Sequence, residues 1–392
     1  MKKHRPDSSR VPIYRDAGFV LHDSDTMARA FRNEQDSPAS PDLFIYSRYR
    51  NPTVIEAEKK IMELEGCSWA LLTQSGMSAI DVALSIFQNG VKTGPWLFFT
   101  EIYGGTNSYI DSVLIRRRGL NILQFEPQNE LYDLDILEKK LKDEAPDLVF
   151  CELISNPLLI VADIEKIIKL SHAYGAKIII DNTFATPYLI NPLKMGADLV
   201  IHSATKYLGG HGNITAGVVC GNDESMRIAA TDYRKYIGHM LSADDAYRLR
   251  TQMESFTLRV RQQFHNSARI ASLLDDSDII ERVWYPGIKS HPSNNIARKV
   301  FSDRGYGAIV TFDVAGSDVS RKRKNRDLFI EMVGENILLI PTLGDSHTII
   351  MPVEPVWGYK YPEPGMIRLS VGFEETDHLI DIIGRALKSI QR

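Results

Sequence analysis

Short β-branched runs that end abruptly in polar residues set the pattern of this chain. Lys177-Ile178-Ile179-Ile180 stops at Asp181, and Leu199-Val200-Ile201 stops at His202, with Pro187, Pro192 and Gly196 marking a loop and short helix between them. Both runs predict buried strands. Trp69 to Leu72 and Asp147 to Phe150 predict two more, alternating with helices to about Gly221. The apolar spacing is helical from Ile55 through Leu64, and a further helix is expected over Ser78 to Phe87. From about Ala243 to Leu273 apolar and charged residues interleave as one long amphipathic helix, and Ala308 to Phe312 is a strand among further helices and strands. Residues 1 to about 55 mix Pro, Asp, Ser and aromatic residues without sustained periodicity, as in an arm that gains order by lying on something else. The expected organisation is an arm over 1–55, an α/β domain with a mostly parallel central sheet over 56–245, and a smaller α+β domain over 246–392. No solenoid-length repeat or low-complexity tract interrupts it.

That reading places Asp181 and His202-Ser203-Ala204-Thr205-Lys206 at the carboxyl ends of strands, the edge where open α/β sheets bind ligands. An acid and a lysine on one such edge are what pyridoxal phosphate requires. The lysine amine condenses with the cofactor aldehyde, and the pyridine ring accepts electrons from a carbanion beside the substrate amino group. A carboxylate about 3 Å from the ring nitrogen, at an effective dielectric of about 20, favours its proton by roughly 5 kcal/mol, which is the role expected of Asp181. The hydroxyls of Ser203 and Thr205 are natural phosphate donors. Singly, each residue has an ordinary reading: Asp181 as a cap, Lys206 as a solvated lysine, the hydroxyls as local backbone partners. Their joint spacing after two buried strands favours the cofactor.

Other motifs converge on the same chemistry. Ser75-Gly76-Met77 follows a strand and opens a helix, so its free amides and the positive helix end can hold a phosphate, although alone it reads as a helix cap. Tyr103 begins a glycine-rich turn that lets backbone approach a planar ligand while the ring stacks on it; by itself it reads as core. Asn156 before Pro157 is a turn residue on its own terms, and Glu152 is expected to be structural or near the site. Arg368 lies in an alternating apolar strand, where a buried guanidinium needs a carboxylate or an internal ion pair. No GxxxxGK[ST] loop or GxGxxG fingerprint is present, so nucleotide binding lacks support.

The chain resembles the transsulfuration enzymes of Cys/Met metabolism. The resemblance runs through YSRYRNPT from Tyr46 to Thr53, QSGMSAI from Gln74, YGGT from Tyr103, ELISNP from Glu152, DNTFATP from Asp181, HSATKYLGGH from His202, YPG from Tyr285, and IRLSVGFE from Ile367. It implies a pyridoxal-phosphate enzyme of fold type I, aspartate aminotransferase-like, assembled as a homotetramer of two tight dimers. It implies that Lys206 carries the cofactor, Asp181 and Thr183 lie at its ring, and Ser75, Gly76, Met77, Ser203 and Thr205 surround its phosphate. Tyr103 would stack on it and assist a leaving group, Asn156 would lie near its ring oxygen, and Arg368 would fork onto the substrate carboxylate. Tyr46 and Arg48, on the arm, would reach the neighbouring subunit's phosphate.

The implied reaction is γ-elimination or γ-replacement on a sulfur-containing or O-acylated homoserine-type amino acid, with Lys206 as general base. β-Elimination on cystathionine and O-acetylhomoserine sulfhydrylation are the alternatives. Glutamate precedes the Ser-Leu-Gly-like turn in γ-synthases and γ-lyases, and tyrosine in the bacterial β-lyase; this chain has Pro341 there, followed by Thr342, which keeps the hydroxyl that the family's serine would direct toward the lysine and is expected to contact substrate. Methionine γ-lyases carry cysteine where this chain has Gly105, which argues against that member, whereas Gly344-Asp345 is similar to the sulfhydrylase turn. A silent relative would be expected to lose Lys206, Asp181 or Arg368, and all three are present. An aminotransferase of the same fold type is the remaining rival.

Composition narrows the rest. A chain of 392 residues with 44% hydrophobic content can bury a large core, and a net charge of −4 gives no electrostatic case for nucleic acid or membrane partners. Arg116-Arg117-Arg118 beside Gly119 is expected to be a solvated helix end. Cys67, Cys151 and Cys220 are too few and scattered for a disulfide framework, and His202, His211 and His347 lack metal-site spacing, so no metal and no catalytic histidine are expected. No apolar run approaches a membrane span, and a cytoplasmic protein is expected.

Overall fold

Two sheets organise the computed structural model, which describes residues 9–36, 43–88, 94–301 and 304–390. The larger is built from β1 (Trp69–Thr73), β2 (Trp96–Phe99), β3 (Ile122–Phe125), β4 (Leu148–Glu152), β5 (Lys177–Asp181), β6 (Leu199–His202) and β7 (Gly217–Gly221). Their order is β1-β7-β6-β5-β4-β2-β3, and only β7 runs against its neighbours. Helices cover both faces, so strands such as β4 are buried at every position, and this is why they read as unbroken apolar runs. The parallel direction brings the carboxyl ends of β1, β4, β5 and β6 to one edge.

The smaller sheet contains β8 (Ile280–Trp284), β9 (Ile309–Val314), β10 (Leu338–Leu339), β11 (Ile349–Pro352) and β12 (Met366–Ser370) in the order β10-β11-β12-β9-β8. All its pairs are antiparallel except β10 with β11. Its apolar core packs under the helices Phe256–Asp275, Val319–Val333 and Thr376–Ile390.

Three expectations about local structure are corrected. The helix expected over Ala243 to Leu273 is two, Ala243–Gln252 and Phe256–Asp275, joined by a tight turn at Met253–Ser255. Arg259 explains the break: its guanidinium donates to the Gln252 carbonyl at 3.2 Å, leaving that carbonyl satisfied outside a regular helix, and reaches Tyr207 and Leu208 beyond it. The arm carries a helix, Ser24–Asp36, which is docked by a buried ion pair between Glu34 and Lys235 at 3.2 Å. Finally, Arg118 is not solvated, because it turns inward to Asp81 at 2.6 Å, a carboxylate that also accepts from the Tyr109 and Tyr233 hydroxyls.

Candidate active site

At the shared strand edge the chain forms a cavity of about 250 Å³ whose lining includes Ser75, Gly76, Met77, Tyr103, Asn156, Asp181, Thr183, Ser203, Thr205, Lys206, Thr342 and Arg368. Twelve of the fourteen residues singled out in the sequence are thus brought together. Tyr46 and Arg48 are not among them. They lie beside a separate groove with Tyr14, Arg15 and Met240, where the Arg48 guanidinium donates to the Lys235 carbonyl at 2.7 Å and packs over the Tyr46 and Tyr49 rings.

Asp181 ends β5, directly in register with Glu152 at the end of β4. Burial raises both carboxyls above their ordinary range, and Glu152 the more, with the Asp181 charge adding to its burial. The pair therefore carries its negative charge on Asp181, which accepts from both the amide (2.9 Å) and the hydroxyl (2.5 Å) of Thr183. Thr183 in turn accepts the Ser203 amide at 2.9 Å, tying the two strand ends together. Glu152 accepts the Tyr103 amide at 2.5 Å and so fixes the turn that presents the half-exposed Tyr103 ring. A side chain at Gly105 would collide with that ring.

The loop after β6 delivers Lys206. Its Nζ donates to Thr342 Oγ1 at 2.7 Å, and its proton affinity is lowered to about 8, first by burial and then by the positive charge of Arg368. Arg368, on β12, is 3% exposed; its forked nitrogens donate to Asn156 Oδ1 at 3.1 Å and the Thr342 carbonyl at 2.9 Å. Its Nε is buried without a partner, and among the described residues no carboxylate pairs with it. Burial alone pulls the guanidinium down to about 10. A buried cation held by two neutral acceptors with a donor to spare is arranged for an external carboxylate.

Another wall of the cavity is built by the helix Gly76–Ser85, capped by Ser75, whose hydroxyl accepts the Ser78 amide at 3.1 Å. A Cβ at Gly76 would stand 2.8 Å from the Ser203 Cβ, so only glycine lets the helix start approach the loop that bears Ser203 and Thr205. An amine, a paired carboxylate, and a helix N-terminus flanked by hydroxyls form the donor set of pyridoxal phosphate, and the cradle at Gly76 fits its phosphate. Trp357, Thr215 and Phe184 also line the cavity. Phe184 lies within the DNTFATP motif, whereas sequence patterning gave no signal for Thr215, which is on a loop, or for Trp357, which ends the one-turn helix Glu354–Trp357.

The comparisons agree with this geometry. The family model of the Cys/Met metabolism PLP-dependent enzymes matches residues 1–388. The chain belongs to that family. It is 33% identical to a cystathionine beta-lyase of Lactococcus lactis subsp. cremoris over 91% of each chain, and 37% identical to an O-succinylhomoserine sulfhydrylase of Pseudomonas aeruginosa over 88% of this chain and 84% of the other. A crystal structure of cystathionine gamma-lyase from Lactobacillus plantarum complexed with L-serine superimposes with a TM-score of 0.83 at 28% identity, covering 98% of this chain and 94% of that one. The fold is therefore the fold type I architecture that the resemblance implies, the protein is a transsulfuration-type enzyme, and its cofactor is pyridoxal phosphate. Among the described residues no helix is long and apolar enough to cross a membrane, and no cluster of metal-ligating side chains occurs.

Proposed function

We propose that this enzyme catalyses γ-elimination or γ-replacement on a sulfur-containing or O-acylated homoserine-type amino acid. The observation that carries the reading is the placement of Lys206, poised near neutral proton affinity, in one cavity with the open Arg368 fork and the Asp181 carboxylate. Pyridoxal phosphate, when bound, supplies an electron sink for a carbanion at the substrate α-carbon. Lys206 would hold its carbonyl carbon, Asp181 its ring nitrogen, and Ser75, Gly76, Met77, Ser203 and Thr205 its phosphate, with Asn156 near the ring oxygen.

Arg368 orients the substrate by its carboxylate. The Lys206 amine, steered by Thr342, takes the α-proton and then a β-proton, which frees the γ-substituent as a thiol or an acid. Tyr103, over the cavity, is placed to give that leaving group a proton. Hydrolysis of the unsaturated residue gives 2-oxobutyrate and ammonia; capture of a thiol instead gives replacement. Tyr46 and Arg48, outside the cavity of their own chain, would complete the phosphate site of a second copy within a cytoplasmic tetramer of two dimers. On this reading residues 1–55 are that exchanging arm, 56–245 the cofactor domain and 246–392 the smaller domain.

A β-elimination reading is favoured by the similarity to the Lactococcus cystathionine beta-lyase. Mass spectrometry of the oxo acid released by the holoenzyme from O-acetyl-L-homoserine and from L-cystathionine separates the two. 2-Oxobutyrate from both is expected; pyruvate as the main product from cystathionine would establish β-elimination, and full turnover by Lys206→Ala would sink either scheme.

A further inference from the structure

A substrate held at Arg368 and Lys206 must lay its γ-substituent on the wall beside them, and what that wall carries decides which leaving groups fit. This argument rests on the function proposed above. Pro341 immediately precedes Thr342, the partner of Lys206, and the Trp357 ring centre lies 5.6 Å from the Arg368 guanidinium carbon. Both line the cavity, as does Ile154. Pro341 and Ile154 offer only carbon, and the Trp357 ring face is already taken up by the Arg368 guanidinium.

The charged side chains nearby are already committed. Among the described residues lining the cavity, Asp181 is bonded to Thr183, Lys206 to Thr342 and Arg368 to Asn156, while Glu152 holds the Tyr103 amide and burial drives it toward its neutral form. On the flanking segments, Lys360 pairs with Glu101 at 2.7 Å, and the second oxygen of Glu101 takes the Tyr361 hydroxyl at 2.7 Å. Glu354 is gripped by Arg323 and Arg326. Asp345 caps the Ser346 amide at 2.6 Å and lies against Gly212. Once Arg368 holds the substrate α-carboxylate, a second ammonium or carboxylate entering here finds no uncommitted opposite charge among the described residues of this chain.

We infer that this site takes amino acids whose γ-substituent is uncharged, such as an O-acetyl ester or an S-alkyl group. It would discriminate against those whose far end is ionic, such as a second amino-acid group or a succinyl carboxylate. Losing water without gaining a partner is the penalty that does this, and for a single buried charge it corresponds to about 100-fold or more in affinity.

The test uses the holoenzyme and two amino acids that carry no leaving group. L-Norleucine ends in a methyl group, whereas 2,6-diaminopimelate ends in a second amino-acid head; binding of each is followed by the change in cofactor absorbance. Norleucine is expected to bind about 100-fold more tightly, and kcat/KM for O-acetyl-L-homoserine to exceed that for O-succinyl-L-homoserine by a similar factor. Equal or tighter binding of diaminopimelate, or a preference for the succinyl ester, overturns the inference. If neither ester releases 2-oxobutyrate, the proposed γ-chemistry fails, and the norleucine to diaminopimelate ratio still decides the character of the wall.

Discussion

Replacing Lys206 with methionine should stabilise the cofactor-free protein at neutral pH while abolishing turnover. In the fold the Lys206 amine binds its proton with an affinity of about 8, against 10.5 when free, chiefly through burial. The sign follows from which state keeps the proton. Below pH 8 the folded chain must bury an ammonium that the unfolded chain holds in water, so the penalty is present in full. Between 8 and 10.5 only the unfolded state stays protonated, and the penalty falls away as pH rises. A shift of this size corresponds to ~3 kcal/mol at pH 7, and loss of the bond to Thr342 returns ~1 kcal/mol. Lys206→Met should therefore gain ~2 kcal/mol at pH 7. By pH 9.5 the remaining penalty is ~1 kcal/mol, which the lost bond cancels. Urea unfolding of both cofactor-free proteins at one protein concentration, at the two pH values, measures this directly. A variant no more stable than the parent at pH 7, or a gain undiminished at pH 9.5, would refute the idea that a buried ammonium is the strained element of this site.

Two further outcomes follow from the same geometry. Arg368→Lys keeps the positive charge but loses the fork, and a charge-assisted hydrogen bond is worth ~2 to 3 kcal/mol, so kcat/KM should fall roughly 30- to 150-fold. The bound cofactor's absorbance should be unchanged, and a comparable loss of cofactor would show that Arg368 serves the fold rather than the substrate. Gly76→Ala places a methyl 2.8 Å from Ser203 Cβ and should weaken cofactor affinity more than tenfold, read by equilibrium dialysis; unchanged affinity would mean that the helix start does not hold the phosphate.

Glu152 shows how one buried group can shape a site without reacting there. Two carboxyls in register on adjacent parallel strands cannot both be charged at low cost. The one with two Thr183 donors keeps the charge, and the other becomes a fixed acceptor for the Tyr103 amide. His202, the first residue of the lysine motif, is likewise kept out of the cavity: its ring meets the buried Glu65 at 2.5 Å on the far side of its strand. The motif is thus divided where the strand ends: His202, its last strand residue, serves the core, and the turn after it presents Ser203, Thr205 and Lys206 to the cavity.

The strands that end at Asp181 and just before the Lys206 loop were legible because a parallel sheet covered on both faces demands unbroken apolar runs, and such runs end where the chain leaves the core. Helix starts were legible to within a few residues: the turn expected over Ser78 to Phe87 begins at Gly76, because Ser75 supplies the cap. The arm helix Ser24–Asp36 was not, since it is held by a distant pair, Glu34 with Lys235, rather than by its own periodicity. Nor was the break at Met253–Ser255, where the deciding contact comes from Arg259 a turn later. Arg118 looked solvated in a basic run because its partner, Asp81, lies in another helix.

By itself, then, the sequence determined which residues could do the chemistry: a lysine just past one strand, an aspartate ending another and an arginine within a third, on elements whose local pattern is strong enough to be read alone. Tertiary structure decided how those groups are tuned. Only the fold sets Asp181 against Glu152, lowers the Lys206 proton affinity by burial beside Arg368, and brings Pro341, from a loop, and Trp357, from a short helix, onto one wall. Local periodicity reports which side of an element is buried. Proton affinity and leaving-group preference depend instead on which charges and which carbon surface arrive from elsewhere in the chain, and no local pattern encodes that.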